Sequence, residues 1–309
     1  MDPVFQWFGG KRKIAPLVWS RLGSVDRYIE PFTGSAAVFL ARPKPQGREI
    51  LNDIDGFLVN FWRAVRADAT SVARELEMPI SELDLMARKK LFTAPRAESL
   101  TARLQEDPEY FDRTLAAWWY FGHCASVGNR WLRLHEIPNQ FLPAMDSRGI
   151  AERAVDLIRV QKRLVDVFLL CGDWSRAVGS DKVLYNGTDC VGIFFDPPYA
   201  SPREQNIYAQ DDLQTAKDVE AWCLQHGDNP RLRIVLAGYA GEHPELERAG
   251  WTTERWMAQG GHANRAKNRT ASSENRYRET LWCSPHCLGN RQCTLIDALY
   301  DSDASVEVA

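Results

Sequence analysis

The sequence predicts an α/β fold: a doubly wound sheet interrupted by a largely helical insertion. Three observations carry this. Short apolar, β-rich runs alternate with amphipathic helical ones over residues 27–67 and again from about 151. Residues 66–150 lack that alternation and read as helical stretches broken by prolines. Four of the predicted strands end in residues with ligand chemistry, and the carboxyl ends of strands are where open α/β sheets bind ligands.

The elements follow in order. RYIEP (27–31) reads as a strand running into FTGSAAVFLAR, a small-residue turn that opens a helix; REILN (48–52) is a second strand ending at Asp53 and Asp55, followed by the amphipathic FLVNFWRAVRA. In the insertion, ATSVARELE, ISELDLMARKKLF and YFDRTLAAWWYFGH read as helices, separated by Pro79, Pro95, Pro108, Pro138 and Pro143. SVGNRWLRLHEIPNQF is polar, basic and aromatic together, a loop or hairpin. The α/β rhythm then resumes: IAERAVDLIRVQKRLVD a helix, VFLLC and VGIFF strands, LQTAKDVEAWCLQHG a helix, RIVLAGY a strand. ERWMAQ and RETLWCS read as a closing antiparallel pair, and the last dozen residues as frayed. The domain reading is 1–65 with 151–285 as the catalytic body, 66–150 as an inserted unit, and 286–309 as an acidic tail.

Bulk properties narrow the class. The apolar runs are far shorter than a bilayer span, and MDPVFQWFGGKRK has no apolar core with a cleavage site, so neither a membrane helix nor a signal peptide is expected. Seven irregularly spaced cysteines fit a reducing, cytoplasmic compartment better than a disulfide framework. A net charge of −3 argues against a nucleic-acid partner, but four of the acids lie in 297–309, and without that segment the charge is +1. Basic residues cluster at Lys11, Arg12 and Lys13 and again at Arg265, Lys267, Arg269, Arg276 and Arg278.

The four strand ends share one chemistry. EPFTGSA (30–36) offers Gly34 and small neighbours for close backbone approach, with helix N–H groups beyond. Asp53 follows Gly34 by 19 residues, near the offset at which a carboxylate reaches ribose hydroxyls. Asp173 and Trp174 could bond an adenine amino group and stack on its ring, or be a helix cap and a core residue. FFDPPY (194–199) places a carboxylate beside a rigid prolyl carbonyl, two acceptors suited to the two donors of an exocyclic amine. Accepting both N–H bonds favours a more tetrahedral, nucleophilic nitrogen, and Tyr199 can stack on the base.

In this order the motifs resemble the Dam-type (alpha-order) DNA adenine amino-methyltransferase family. WFGGKRKI (7–14) resembles its W-x-GGK motif, YIEPFTGSAAVF (28–39) its cofactor loop, LNDID (51–55) its ribose acid, GDW (172–174) its adenine contact, and ENRYRETLW (274–282) its closing R-x-E segment. The resemblance implies a Rossmann-like S-adenosylmethionine-dependent methyltransferase fold whose inserted subdomain recognises the target in double-stranded DNA. It implies cofactor contacts from Trp7, Gly9, Gly10, Lys11, Glu30, Pro31, Phe32, Gly34, Ser35, Ala36, Asp53, Asp173, Trp174 and Asp196. It implies catalysis by Asp196, Pro197, Pro198 and Tyr199, with base flipping and direct transfer of the methyl group to the 6-amino nitrogen of adenine. Lys11, Arg130, Trp131, Tyr208, Arg265, Lys267, Arg269 and Arg276 are the expected DNA contacts. A restriction endonuclease partner, a monomer or weak dimer, and a bacterial or phage-infected host cell are compatible with this reading.

The departures are specific. Ala36 stands where the family's loop has its second Gly, and its methyl group is expected to crowd the cofactor. Residues 66–150 match no recognition subdomain residue by residue, and the tail from 284 has no counterpart. Alternatives are methylation of the cytosine 4-amino group, which the same amine grip allows, and an inactive DNA-binding relic. Cys283, His286, Cys287 and Cys293 could supply zinc ligands, but their spacing fits no common finger, so no metal is expected.

Overall fold

The computed structural model describes residues 1–5, 7, 9–76, 82–125, 150–179, 190–198, 213–256 and 279–289. Its centre is a seven-stranded sheet: β1 (Arg27–Glu30), β2 (Arg48–Asp53), β3 (Val167–Cys171), β4 (Val191–Phe195), β5 (Leu232–Tyr239), β6 (Thr252–Arg255) and β7 (Glu279–Cys283). The order is β3-β2-β1-β4-β5-β7-β6. β1 to β5 pair in parallel, and β7 is antiparallel to both β5 and β6. Chain order therefore reverses between β1 and β4, the position at which open α/β sheets form a ligand crevice. This is a doubly wound, Rossmann-like α/β architecture.

The central strands are buried on both faces, which explains their unbroken apolar runs. Tyr28, Leu51, Phe194, Val235 and Leu281 point into one apolar cluster; Ile29, Ile50, Ile193, Phe195, Ile234, Leu236 and Trp282 point into the other. The first cluster is covered by α1 (Ala15–Leu22), α2 (Ala37–Leu40), α3 (Gly56–Leu76), α5 (Ala94–Glu106), α6 (Arg113–Ala125) and α7 (Ile150–Arg163). The second lies under α8 (Leu213–His226) and α9 (Pro244–Arg248). α4 (Glu82–Lys89) completes the described helices. Glu49 on β2 accepts from Arg42 at 2.8 Å and Arg163 at 2.6 Å, joining the segment after α2 and the end of α7 to the sheet.

Three expectations are revised. Pro95 does not break a helix: it sits in the first turn of α5, where its missing N–H has no intrahelical partner to lose. A boundary at 65/66 runs through α3, which continues to Leu76 with a kink at Asp68. Leu100, Leu104, Leu115, Trp119 and Tyr120 share the core of Phe5, Phe61 and Trp62, so residues 66–125, where described, are welded to the catalytic body by burial. The tail also begins later than 286. Leu288 N donates to Arg21 O at 2.8 Å, Arg21 Nη1 donates to Leu288 O at 3.0 Å, and Cys287 Sγ donates to Ile234 O at 3.3 Å.

Candidate active site

The exits of β1, β2, β3 and β4 meet at the crevice. After β1 the chain turns at Pro31–Ala36. Gly34 has φ +47°, and a Cβ there would lie 2.8 Å from the Trp7 indole, so both conformation and space demand glycine. Trp7 packs against Phe5 and stacks on His123 at 5.3 Å. Trp62 Nε1 donates to Gly34 O at 3.2 Å, clamping the same residue. Gly10 N donates to Trp7 O at 3.0 Å, closing the turn that carries Gly9, at φ 72°. Ser35 is buried in the loop. Ala36 has φ 54°, the one described non-glycine residue in left-handed backbone. Its methyl group is fully buried in the main apolar cluster, so it does not crowd the cofactor side as expected; its cost is in the backbone.

Asp53, at the end of β2, accepts from Gly34 N at 2.9 Å through Oδ2 and from Asp55 N at 3.1 Å through Oδ1. Loss of surrounding water pushes the pKa of its carboxyl up to about 6 against the opposing pull of those N–H groups. Asp55 serves as a cap instead, its Oδ1 accepting from Phe57 N and Leu58 N at the start of α3. Glu30 is 2% exposed beneath the loop, where its Oε2 accepts from Tyr28 Oη at 3.0 Å and Phe39 N at 3.1 Å. Burial pushes its pKa to about 8, aided by the nearby charges of Asp196 and Glu49. It supports the loop from within.

Asp173, at the end of β3, is exposed, and its Oδ1 accepts from Ser175 N at 3.0 Å, capping a short 3₁₀ turn. Trp174 stacks on Phe32 with centroids 6.3 Å apart and meets Phe195 edge-on at 5.9 Å. The cap expected as the alternative is thus realised, while the turn also lines an aromatic wall beside the cofactor loop.

The exit of β4 carries Asp196, Pro197 and Pro198. Lys11 Nζ lies 2.9 Å from Asp196 Oδ1 and donates to Gly9 O at 2.7 Å; Lys11 is 5% exposed and Asp196 22%. The resemblance implies that Lys11 lies near the cofactor carboxylate or the target site; in the structure it pairs with Asp196. Two residues escaped the sequence reading. Thr33 donates through Oγ1 to Glu30 O and Asn52 O, and Asn52 Nδ2 donates to Pro31 O and Gly172 O. The signal for Asn52 was present: a polar amide directly after the apolar pair Ile50-Leu51 of a central strand is buried and needs a partner. Tyr199, Arg130, Trp131, Tyr208, Arg265, Lys267, Arg269 and Arg276 lie outside the described residues. Of the suggested metal ligands, His286 faces Asp228 O at 3.0 Å, Cys287 bonds to Ile234 O, and Cys293 lies outside the described residues.

A cofactor with a ribose and a planar base fits this crevice on its own features. Glycine at 34 keeps the loop free of a side chain under Trp7, the Asp53 carboxylate stands at the next strand end, and Phe32 and Trp174 form an aromatic wall.

Comparison with known proteins now bears on the chemistry. Residues 7–137 match the model of the D12 class N6 adenine-specific DNA methyltransferase family. The resemblance read from the motifs is to this class. The chain is 33% identical over 69 residues to a DNA N-6-adenine-methyltransferase of Escherichia phage P1, covering 22% of this chain and 9% of that protein. It is 25% identical over 211 residues to the type II methyltransferase M.MjaIII of Methanocaldococcus jannaschii, covering 64% of this chain and 69% of that protein. The chain thus spans less than a tenth of the phage protein and about two thirds of the archaeal one. Among the described residues no helix is long and apolar enough to cross a membrane.

Proposed function

We propose that the protein is a site-specific DNA methyltransferase that transfers the methyl group of S-adenosylmethionine to the exocyclic 6-amino nitrogen of adenine in double-stranded DNA. The observation that carries this reading is the Asp196-Pro197-Pro198 exit of β4 at the switch point, beside a loop closed by Asp53 on Gly34. The D12 class match and the relatives' names support adenine as the base.

In this reading Gly34, Ser35 and the loop main chain hold the methionine part of the cofactor, and Asp53 its ribose. Phe32 and Trp174 flank its base, with Asp173 at the edge. When bound, S-adenosylmethionine supplies an electrophilic methyl group that the amine nitrogen takes directly. Asp196 and the Pro197 carbonyl accept the two amine hydrogens and present the nitrogen lone pair; the prolines fix the carbonyl in advance. Tyr199 stacks on the extruded base, which must leave the duplex to reach the site. Lys11 holds Asp196 in the free protein and gives way, or shares it, as the amine arrives. Much of the rate is orientation of two bound reactants.

Recognition of the DNA sequence falls to residues 66–150, with Arg130 and Trp131 at the groove and Arg265, Lys267, Arg269 and Arg276 on phosphates. A restriction endonuclease with the same recognition site would be the natural partner of such an enzyme, acting in the cytoplasm of a bacterium or phage-infected cell as a monomer or weak dimer.

The test incubates the protein with S-adenosylmethionine carrying a labelled methyl group and unmethylated genomic DNA, and resolves the digested nucleosides by mass. Label in N6-methyladenine is expected. Label in N4-methylcytosine would replace the base, and cofactor that does not bind would leave only the DNA-binding relic.

A further inference from the structure

The cofactor half of the site is drawn together by a side chain that none of the motifs assigns. Asn52 lies on β2, the strand between β1 and β3, one residue before Asp53. It is 1% exposed. Its Nδ2 donates to Pro31 O at 2.9 Å and to Gly172 O at 3.0 Å. Both partners are carbonyls, so the amide nitrogen must be the atom that faces them. Pro31 opens the loop after β1, and Gly172 opens the turn after β3. The main-chain carbonyl of Asn52 accepts from Thr33 N and Thr33 Oγ1, both at 2.9 Å, inside the same loop. Gly172 N in turn donates to Asp53 O at 2.9 Å.

We propose that Asn52 is a positioning residue for the cofactor: its carboxamide sets the gap between the loop at 31–36 and the turn at 172–174, with Asp53 held between them. This rests on the S-adenosylmethionine reading above. Ladder pairing ends at Glu30↔Leu51 on one side of β2 and Asp53↔Cys171 on the other. Beyond those pairs the sheet no longer fixes the exits. Thr33 is tied to the Asn52 carbonyl and Gly172 to the Asp53 carbonyl, and the Asn52 carboxamide adds one planar group whose two N–H bonds span both exits. A ligand that touches both exits then binds without first having to order them. Asn52 need not touch the cofactor to have this effect.

The experiment compares wild type with Asn52→Ala and the near-isosteric Asn52→Asp. Titration calorimetry with S-adenosylhomocysteine measures cofactor-site affinity, and fluorescence anisotropy measures binding to duplex DNA. Hydrogen exchange in the ligand-free protein reads the Thr33 and Gly172 amides. Both variants are expected to bind the ligand about tenfold or more weakly, to keep wild-type DNA affinity, and to exchange those two amides faster. In Asn52→Asp a carboxylate faces two carbonyls and only its protonated form can donate. Its affinity relative to wild type therefore recovers partly as pH is lowered from about 8 to about 6. Wild-type protein that fails to bind S-adenosylhomocysteine would remove the cofactor reading itself. Wild-type binding with Asn52→Asp at wild-type affinity and exchange would overturn the positioning role. If Asn52→Ala does not fold, Asn52→Asp alone decides, because it preserves volume.

Discussion

On one side of the switch point, the exits of β1, β2 and β3 are bound to one another through Thr33, Gly34, Asn52, Asp53 and Gly172, nearly all of them main chain or buried side chain. On the other side, the exit of β4 is held at its functional carboxylate by Lys11, an ion pair whose acidic partner keeps a quarter or so of its side chain in contact with solvent. The contrast matches the two tasks. A cofactor of constant shape is best met by loops that are already in place, because ordering them on binding would subtract from affinity. A carboxylate that must accept an incoming amine needs a partner it can release. The Asp196 side of the pair reaches solvent, so an incoming amine can approach it, whereas the multiple buried bonds of the other half are costly to break.

Several substitutions would break or sharpen this comparison. The largest effect is expected from Asp196→Ala, which should lower methyl transfer by about a thousandfold and S-adenosylhomocysteine affinity, read by calorimetry, by far less. Equal loss of both would mean that the two halves are not separable. Next is Gly34→Ala. The added methyl group meets the Trp7 indole in left-handed backbone, so both halves of the penalty act at once. Cofactor affinity should fall by on the order of tenfold or more, and stability by about 1–2 kcal/mol in denaturant titration.

Lys11→Met removes the partner of Asp196 and leaves the cofactor loop bonds intact. Turnover should drop by about tenfold with unchanged cofactor affinity. A drop in cofactor affinity instead would return Lys11 to the cofactor carboxylate, the contact that the family resemblance implies. The Asp53 carboxyl provides a pH test. With a pKa near 6, it is ionised above that value and neutral below it, and only the ionised form offers both oxygens as acceptors. S-adenosylhomocysteine affinity should therefore be level above about pH 6 and weaken as pH falls through it, and Asp53→Asn should flatten the profile. The smallest effect is expected from Ala36→Gly. Relief of left-handed backbone strain is partly offset by the freedom glycine adds to the unfolded chain and by loss of a buried methyl group. A net stabilisation of no more than about 1 kcal/mol should appear in the same titration.

The parts of the fold legible in the sequence were those with a local cause. VFLLC and VGIFF were read to the residue because both are continuous apolar runs; β4 is buried throughout, while β3, at the sheet edge, leaves Phe168 exposed. The closing antiparallel pair is present, but β6 is the polar edge strand TTER, lying two residues before the ERWMAQ run and sharing only Glu254 and Arg255 with it. α5 was not legible, because Pro95 marks a helix start and a helix break equally well until the flanking turn is known. The helical reading of FLVNFWRAVRA stopped at Ala67, whereas α3 continues through the kink at Asp68 to Leu76, so a boundary at 65/66 falls inside one helix.

The same division runs through the site. The sequence by itself determined the chemical inventory: a small-residue loop, an acid at the next strand end, an Asp-Trp turn, and a carboxylate followed by two prolines. Each is a short stretch whose residue types constrain what it can bind, wherever the chain carries it. Only the tertiary structure decided which of these meet. It set Trp7 against Gly34, put Lys11 on Asp196, turned the Ala36 methyl group into the core, and joined three strand exits at Asn52. Those contacts depend on strand order, which brings together residues far apart in the chain, and no local pattern of apolar and polar residues records that order.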